Sequence, residues 1–130
     1  CHSNKSHNLK NIDIYIVDTF GETKKFHKIG SSVFLGGSII KRGGHNPLEA
    51  ARFGARILHG SSTYNFRDVY KLLKSLNISK KVSTPKQLAS LIVFKKNIKK
   101  GDKIKNIGEK ILNNTIKELD KLINNEFKKT

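Results

Sequence analysis

Two hydrophobic periods alternate along this chain, one near two residues and one near three to four, as strands and helices require. Ile12 to Val17 alternates and is β-branched, which predicts a first strand closed by Asp18-Thr19. A short helix is expected from Gly21 to about Lys28, with Phe26 and Ile29 as packing residues. Ser32 to Leu35 is a second strand that ends at Gly36-Gly37. Pro47 to Phe53 reads as a second helix. Asn46 serves as its N-cap, Pro47 fits the first helical position, Glu49 at N3 completes a capping-box pattern, and Gly54 stops it. Arg56 to His59 is a third strand. From Asn65 to Leu76 the residues Phe66, Val69, Tyr70, Leu72, Leu73 and Leu76 recur at helical spacing, with Asn65 as N-cap and Asp68 at N3. Ile78 to Val82 is a fourth strand. Ser83-Thr84-Pro85 caps a helix that runs to about Lys95 and places Leu88, Leu91, Ile92 and Phe94 inside. The last helix is long, roughly Asp102 to Phe127, with a stripe from Ile104 and Ile107 to Leu122 and Ile123. The polar stretch Cys1 to Asn11 reads as a loop.

Strands alternating with helices predict an α/β fold, a Rossmann-like parallel sheet with flanking helices and right-handed crossovers. The 130 residues suffice for one modest core, and no repeat or linker divides them. Residues 1–130 are therefore taken as one domain, with its long C-terminal helix from about 102. The chain has no Met, so it is expected to be a piece of a longer protein. No apolar run is long enough to span a bilayer, and no signal-peptide pattern is present. The single Cys1 excludes an internal disulfide and fits a reducing compartment.

A formal charge of +16 first suggests a nucleic-acid partner. The excess is almost all Lys, however, spread over the outer faces of helices and gathered at Lys95-Lys96, Lys99-Lys100 and Lys128-Lys129. Only four arginines occur, aromatic residues make up 8%, and no nucleic-acid module is recognisable. Solvated lysine faces are the simplest account, and attraction to anionic lipid headgroups is the next. No nucleic-acid partner is expected.

The candidate chemistry gathers in Gly36-Gly37-Ser38 through Gly43-Gly44-His45-Asn46-Pro47-Leu48-Glu49. A strand runs into a glycine-rich loop and then into a helix start, and such crevices hold ligands in open α/β sheets. Gly43 and Gly44 next to a helix terminus suit a phosphate cradle, although they could simply shape a turn. Asn46 could be a plain N-cap, and Glu49 a capping-box acid bonded to the Asn46 N–H. Ser38 and Arg42 lie on the loop and could touch an anion. His45 lacks the spacing of a zinc ligand, so no metal is expected. No catalytic constellation is present: there is no Ser-His-Asp set, no nucleophilic Cys and no P-loop.

The same stretch, GGSIIKRGGHNPLEAARFG, resembles the signature of bacterial 3-deoxy-D-manno-octulosonic acid (Kdo) transferases. Lys41 stands where that family often has Pro. Asp18-Thr19-Phe20-Gly21-Glu22 is similar to a second family segment, with Phe20 in place of Met, and Thr63-Tyr64-Asn65-Phe66 to a third. The likeness weakens after about residue 78. It implies most of the C-terminal, donor-binding domain of a GT-B glycosyltransferase. Glu49 would then bind the donor ribose hydroxyls. Gly43, Gly44, Asn46, Ser38 and His45 would face the phosphate or sugar of CMP-Kdo, and the Phe20-Gly21 turn would abut the cytosine. Thr63, Asn65 and Phe66 would chiefly fix a loop and cap a helix. CMP-Kdo is the donor substrate and no cofactor is implied. The acceptor, a lipid A precursor such as lipid IVA, and the acidic general base would belong to an N-terminal domain outside this sequence. The resemblance also implies a peripheral protein on the cytoplasmic face of the bacterial inner membrane.

Overall fold

β1 (Ser32–Leu35), β2 (Arg56–His59) and β3 (Ser79–Lys81) form a parallel sheet in the order β1-β2-β3, with Ser32 opposite Arg56 and Ile57 opposite Ser79. The computed structural model describes residues 2–4 and 8–128. Between and after the strands run α1 (Thr23–Ile29), α2 (Leu48–Arg52), α3 (Arg67–Ser75), α4 (Pro85–Leu91) and α5 (Ile98–Phe127). The expected α/β Rossmann-like class is what the chain adopts, with each parallel neighbour reached through a helix.

β2 lies in the middle and carries the core. Ile57 and Leu58 are fully buried although they point to opposite faces, as a strand covered on both sides demands. Ala50 and Ala51 of α2 lie against it with Leu35, Tyr70, Leu73, Ile78 and Ile104. Their small side chains let α2 sit close to the strands, so the α2 start falls beside the carboxyl end of β1.

Three expectations need correction. Ile12 to Val17 is not a strand. It joins no ladder among the described residues and leaves Ile14 80% exposed. Alternation supplies a strand-like face, but a strand also needs a paired edge, and this segment is held instead by the His2 N–H on the Ile16 carbonyl at 2.8 Å. The helix expected to reach Lys95 stops at Leu91. Ile92 turns to extended backbone, and Val93 exchanges two hydrogen bonds with the Ser32 hydroxyl at 2.8 and 2.9 Å. Phe94 is consequently exposed, as is Ile29 at the end of α1.

The long helix, in turn, starts before Asp102. Asn97 caps it by accepting from the Lys100 N–H at 3.0 Å, and Gly101 lies inside the helix. A Cβ at Gly101 would lie 2.7 Å from the Gly54 nitrogen, so the glycine marks the crossing of α5 over the end of α2. Gly54 itself takes φ +79° and ends α2 as expected. Past Ile104 the apolar stripe of α5 is largely exposed, with Ile111, Leu112, Ile116, Leu119, Leu122 and Ile123 between 46% and 62% accessible.

Candidate functional site

The loop over residues 36–46 leaves the carboxyl end of β1 and is pinned from the neighbouring β2–α3 connection. Ser38 is the hub of this joint and is wholly buried. Its hydroxyl donates to the Leu35 carbonyl at 2.6 Å and accepts from the Gly60 N–H at 2.8 Å, while its carbonyl accepts from the Ser62 N–H at 2.7 Å. The hydroxyl is spent on loop architecture and offers nothing to the crevice.

Farther along, the Gly43 N–H donates to the Ser62 hydroxyl at 3.1 Å, and the Asn65 side-chain amide donates to the Arg42 carbonyl at 3.3 Å. Asn65 therefore fixes the glycine loop and does not cap α3, which is preceded by a 3-10 turn over Tyr64–Phe66 without a side-chain cap. Gly43 has φ +86° and is pressed so close to Asn65 that a Cβ would fall 2.3 Å from its amide nitrogen. The Tyr70 hydroxyl, from α3, donates to the His45 carbonyl at 3.2 Å. Its ring packs at 4.5 Å from that of His59, the last residue of β2. Burial pushes the Tyr70 phenol up to about 12 and the His59 imidazole below its ordinary value, so both stay neutral at physiological pH.

At the mouth, the His45 Nδ1 lies 2.7 Å from the Gly36 carbonyl, which closes the loop on itself. Asn46 accepts from the Leu48 N–H at 3.0 Å in a tight turn just ahead of α2, but it is not the expected N-cap: Pro47 holds that position, without a side-chain cap bond. The capping box is not completed. Glu49 turns its carboxylate toward α1, where Oε2 lies 3.4 Å from His27 Nδ1, and keeps 45% of its side chain exposed. The Nδ1 atom of His27 is buried and has no closer polar partner, so Glu49 is the group it faces. Among the described residues, the Gly44, His45 and Asn46 N–H groups make no backbone hydrogen bond. Amides without a backbone partner ahead of a helix can hold an anion, and the exposed Glu49 carboxylate can accept from hydroxyls.

The structure thus gathers Ser38, Gly43, Gly44, His45, Asn46 and Glu49 around one loop. Phe20 and Gly21 are not bonded to it: no hydrogen bond or ion pair links either residue to the loop among the described residues, and the Phe20 ring is fully exposed. Their neighbours hold the segment before α1 together. The Asp18 carboxyl lies below its usual range because Ser3 donates to it from hydroxyl and backbone, and the Glu22 carboxyl is lowered by the Thr19 hydroxyl and then Lys25. His27 and Tyr70 were not visible as site residues in the sequence. Tyr70 carries the spacing of a core residue, and nothing local marks His27. Among the described residues no three His, Cys, Asp or Glu side chains gather as a metal site, and no helix is long and apolar enough to cross a membrane.

Fold and site together define a Rossmann-like α/β domain of the GT-B kind, its candidate crevice at the carboxyl ends of parallel strands. The fold is that of the C-terminal CMP-Kdo binding domain of WaaA from Acinetobacter baumannii, which matches 59% of this chain and 40% of its own with a TM-score of 0.55 and 24% identity. No protein-family profile matches the chain. In sequence the chain is a homologue of the Kdo transferases, which are glycosyltransferases. It is 35% identical over 117 residues to the 3-deoxy-D-manno-octulosonic acid transferase of Rickettsia prowazekii, 87% of this chain and 25% of that protein. It is 36% identical over 64 residues to the Haemophilus influenzae enzyme of the same name, 49% of this chain and 15% of that protein. The chain thus spans a quarter or less of the length of these two relatives.

Proposed function

We propose that this chain is the donor-binding part of a Kdo transferase and holds the CMP moiety of CMP-Kdo in the loop–α2 crevice. The observation that supports the reading is the pinned loop, whose Gly44, His45 and Asn46 amides have no backbone partner among the described residues, followed on α2 by the exposed Glu49 carboxylate. In this reading Gly43, Gly44, His45 and Asn46 surround the phosphate, and Glu49 accepts from the ribose hydroxyls. Ser38 contributes by shaping the loop, and the Phe20-Gly21 turn meets the cytosine once ligand is bound. As CMP leaves, the loop amides stabilise the charge that builds on its phosphate.

The whole enzyme would transfer Kdo to a lipid A precursor such as lipid IVA, in lipopolysaccharide core biosynthesis. A sugar hydroxyl, deprotonated by an acid residue of an N-terminal domain, would attack the anomeric carbon. No metal or other cofactor takes part, and the present chain alone has no transferase activity. The lysine-rich surface suits peripheral contact with anionic lipid on the cytoplasmic face of the inner membrane.

The test is a titration of the chain with CMP, UDP and GMP, repeated on Glu49→Ala, with circular dichroism as the control for folding. CMP is expected to bind best and to weaken about tenfold or more in Glu49→Ala, the loss typical of a charge-assisted hydrogen bond. Equal binding of the three nucleotides, or none by the folded chain, would overturn the assignment.

A further inference from the structure

A second concave surface lies at the opposite end of the sheet. A cavity of about 260 Å³ opens beside the start of β2, lined among others by Arg56, Asn77, Lys95, Lys96 and Lys100. Arg56 begins β2 while the glycine loop follows the end of β1. The two mouths are therefore separated by the length of the strands, roughly 13 Å at 3.3 Å per residue.

Four cationic residues line this cavity and no Asp or Glu does, although the Lys96 ammonium itself is turned to carbonyls outside it. None of the four makes an ion pair with a carboxylate among the described residues. Two are fixed in place by neutral carbonyls. Lys96 Nζ donates to the carbonyls of His27 at 3.2 Å, Phe53 at 3.3 Å and Lys28, and Lys100 Nζ donates to the Asn77 carbonyl at 2.8 Å. Carbonyl contacts orient an ammonium without cancelling its charge. The Arg56 guanidinium and the Lys95 ammonium have no hydrogen-bond partner among the described residues, and Arg56 is half-buried. A guanidinium in that state keeps its planar fork of donors for an incoming oxyanion. Like charges held together in a concavity focus a positive potential into it.

We propose that this cavity is a binding site for a compact phosphorylated anion, distinct from the loop–α2 crevice, with the Arg56 guanidinium and the Lys95 ammonium as its principal contacts and Lys96 and Lys100 as fixed background charge. The volume fits a phosphate or pyrophosphate group and is smaller than most pockets for a drug-sized ligand. The site stands independently of the donor assignment, because none of its lining residues belongs to the crevice.

Inorganic pyrophosphate is the probe, titrated calorimetrically at fixed ionic strength. The chain is compared with Arg56→Gln/Lys95→Gln and with a control of equal charge loss, Lys110→Gln/Lys117→Gln, placed on the exposed part of α5. Binding is expected to fall about tenfold or more in the first variant and less than about twofold in the control. Should Arg56→Gln/Lys95→Gln fail to fold, Lys95→Glu alters only an exposed side chain and is expected to weaken binding as well. Equal losses in site and control variants would reduce the effect to the diffuse field of a basic chain and overturn the proposal. So would absence of pyrophosphate binding by the folded chain. Vesicles of phosphatidylcholine with phosphatidic acid form a second arm, on which all variants are expected to bind alike. A ranking seen on vesicles and not with pyrophosphate would overturn the assignment to a free anion.

Discussion

At Gly43 two constraints coincide: a φ of +86°, costly for any residue with a Cβ, and an Asn65 amide where that Cβ would stand. Gly43→Ala is expected to cost at least about 1–2 kcal/mol by urea unfolding, from the left-handed backbone alone. It should also weaken CMP binding by moving the loop. The steric part is relieved by Asn65→Ala, so a double-mutant cycle should show coupling of about 0.5 kcal/mol or more. Additive effects would mean that the two residues do not meet. The neighbouring His59 gives a pH signature. Its folded-state value lies below 6.5, first because of burial and also because of Lys81. As pH falls through 6.5 the unfolded chain binds this proton while the folded chain still refuses it, so stability declines on the acid side. His59→Gln is expected to flatten that part of the profile when urea midpoints at pH 7.5 and 5.5 are compared, and an unchanged slope would clear His59.

Among the elements, α5 contains two glycines with opposite meanings. Gly101 touches the backbone of α2, whereas nothing lies within 4 Å of a Cβ at Gly108. Gly108→Ala should therefore raise helicity and stabilise the helix by up to about 1 kcal/mol, the ordinary propensity difference. Gly101→Ala should destabilise the domain, because the added carbon meets the Gly54 nitrogen and the Arg52 carbonyl, both backbone atoms that cannot swing aside. Thermal melts that moved the same way in both variants would contradict the crossing. This contrast also shows what could be read in the sequence. β1 and β2 were legible to the residue, since apolar runs closed by glycines mark buried parallel strands. The glycine-rich stretch was legible as a strand–loop–helix joint. Gly101, by contrast, looks like a helix breaker and is a contact, because a glycine's meaning depends on a partner far away in the chain. For the same reason Asn65 has the pattern of a cap yet serves the loop, and Ile12 to Val17 has the alternation of a strand without a paired edge. The strand–loop–helix course around Gly43 follows from local sequence. Tyr70 and His27 do not, because their roles arise from hydrogen bonds and approaches between separate elements.

Over the whole molecule, stability is concentrated at one end. The core extends from β1 to Ile104, and the remaining length of α5 carries isoleucines and leucines that bury little. An amphipathic helix gains most of its stability from packing one face, so its two halves should respond differently to truncation of apolar side chains. Ile104 is 4% exposed and belongs to the core, so Ile104→Ala should cost about 2–4 kcal/mol through lost burial and the cavity left behind. Leu119, at 52% exposed, should cost less than about 0.5 kcal/mol as Leu119→Ala, a value typical of surface positions. Both are read as shifts in the urea midpoint at low protein concentration and again at high. If Leu119→Ala proved as costly as Ile104→Ala at every concentration, the outer half of α5 would have to be packed against the domain. A Leu119→Ala cost that appeared only at high concentration would instead show that copies of the chain cover one another's stripe. A small cost under both conditions is what the exposed stripe implies: a core that ends near Ile104, with the outer turns of α5 contributing helix but little to the stability of the sheet.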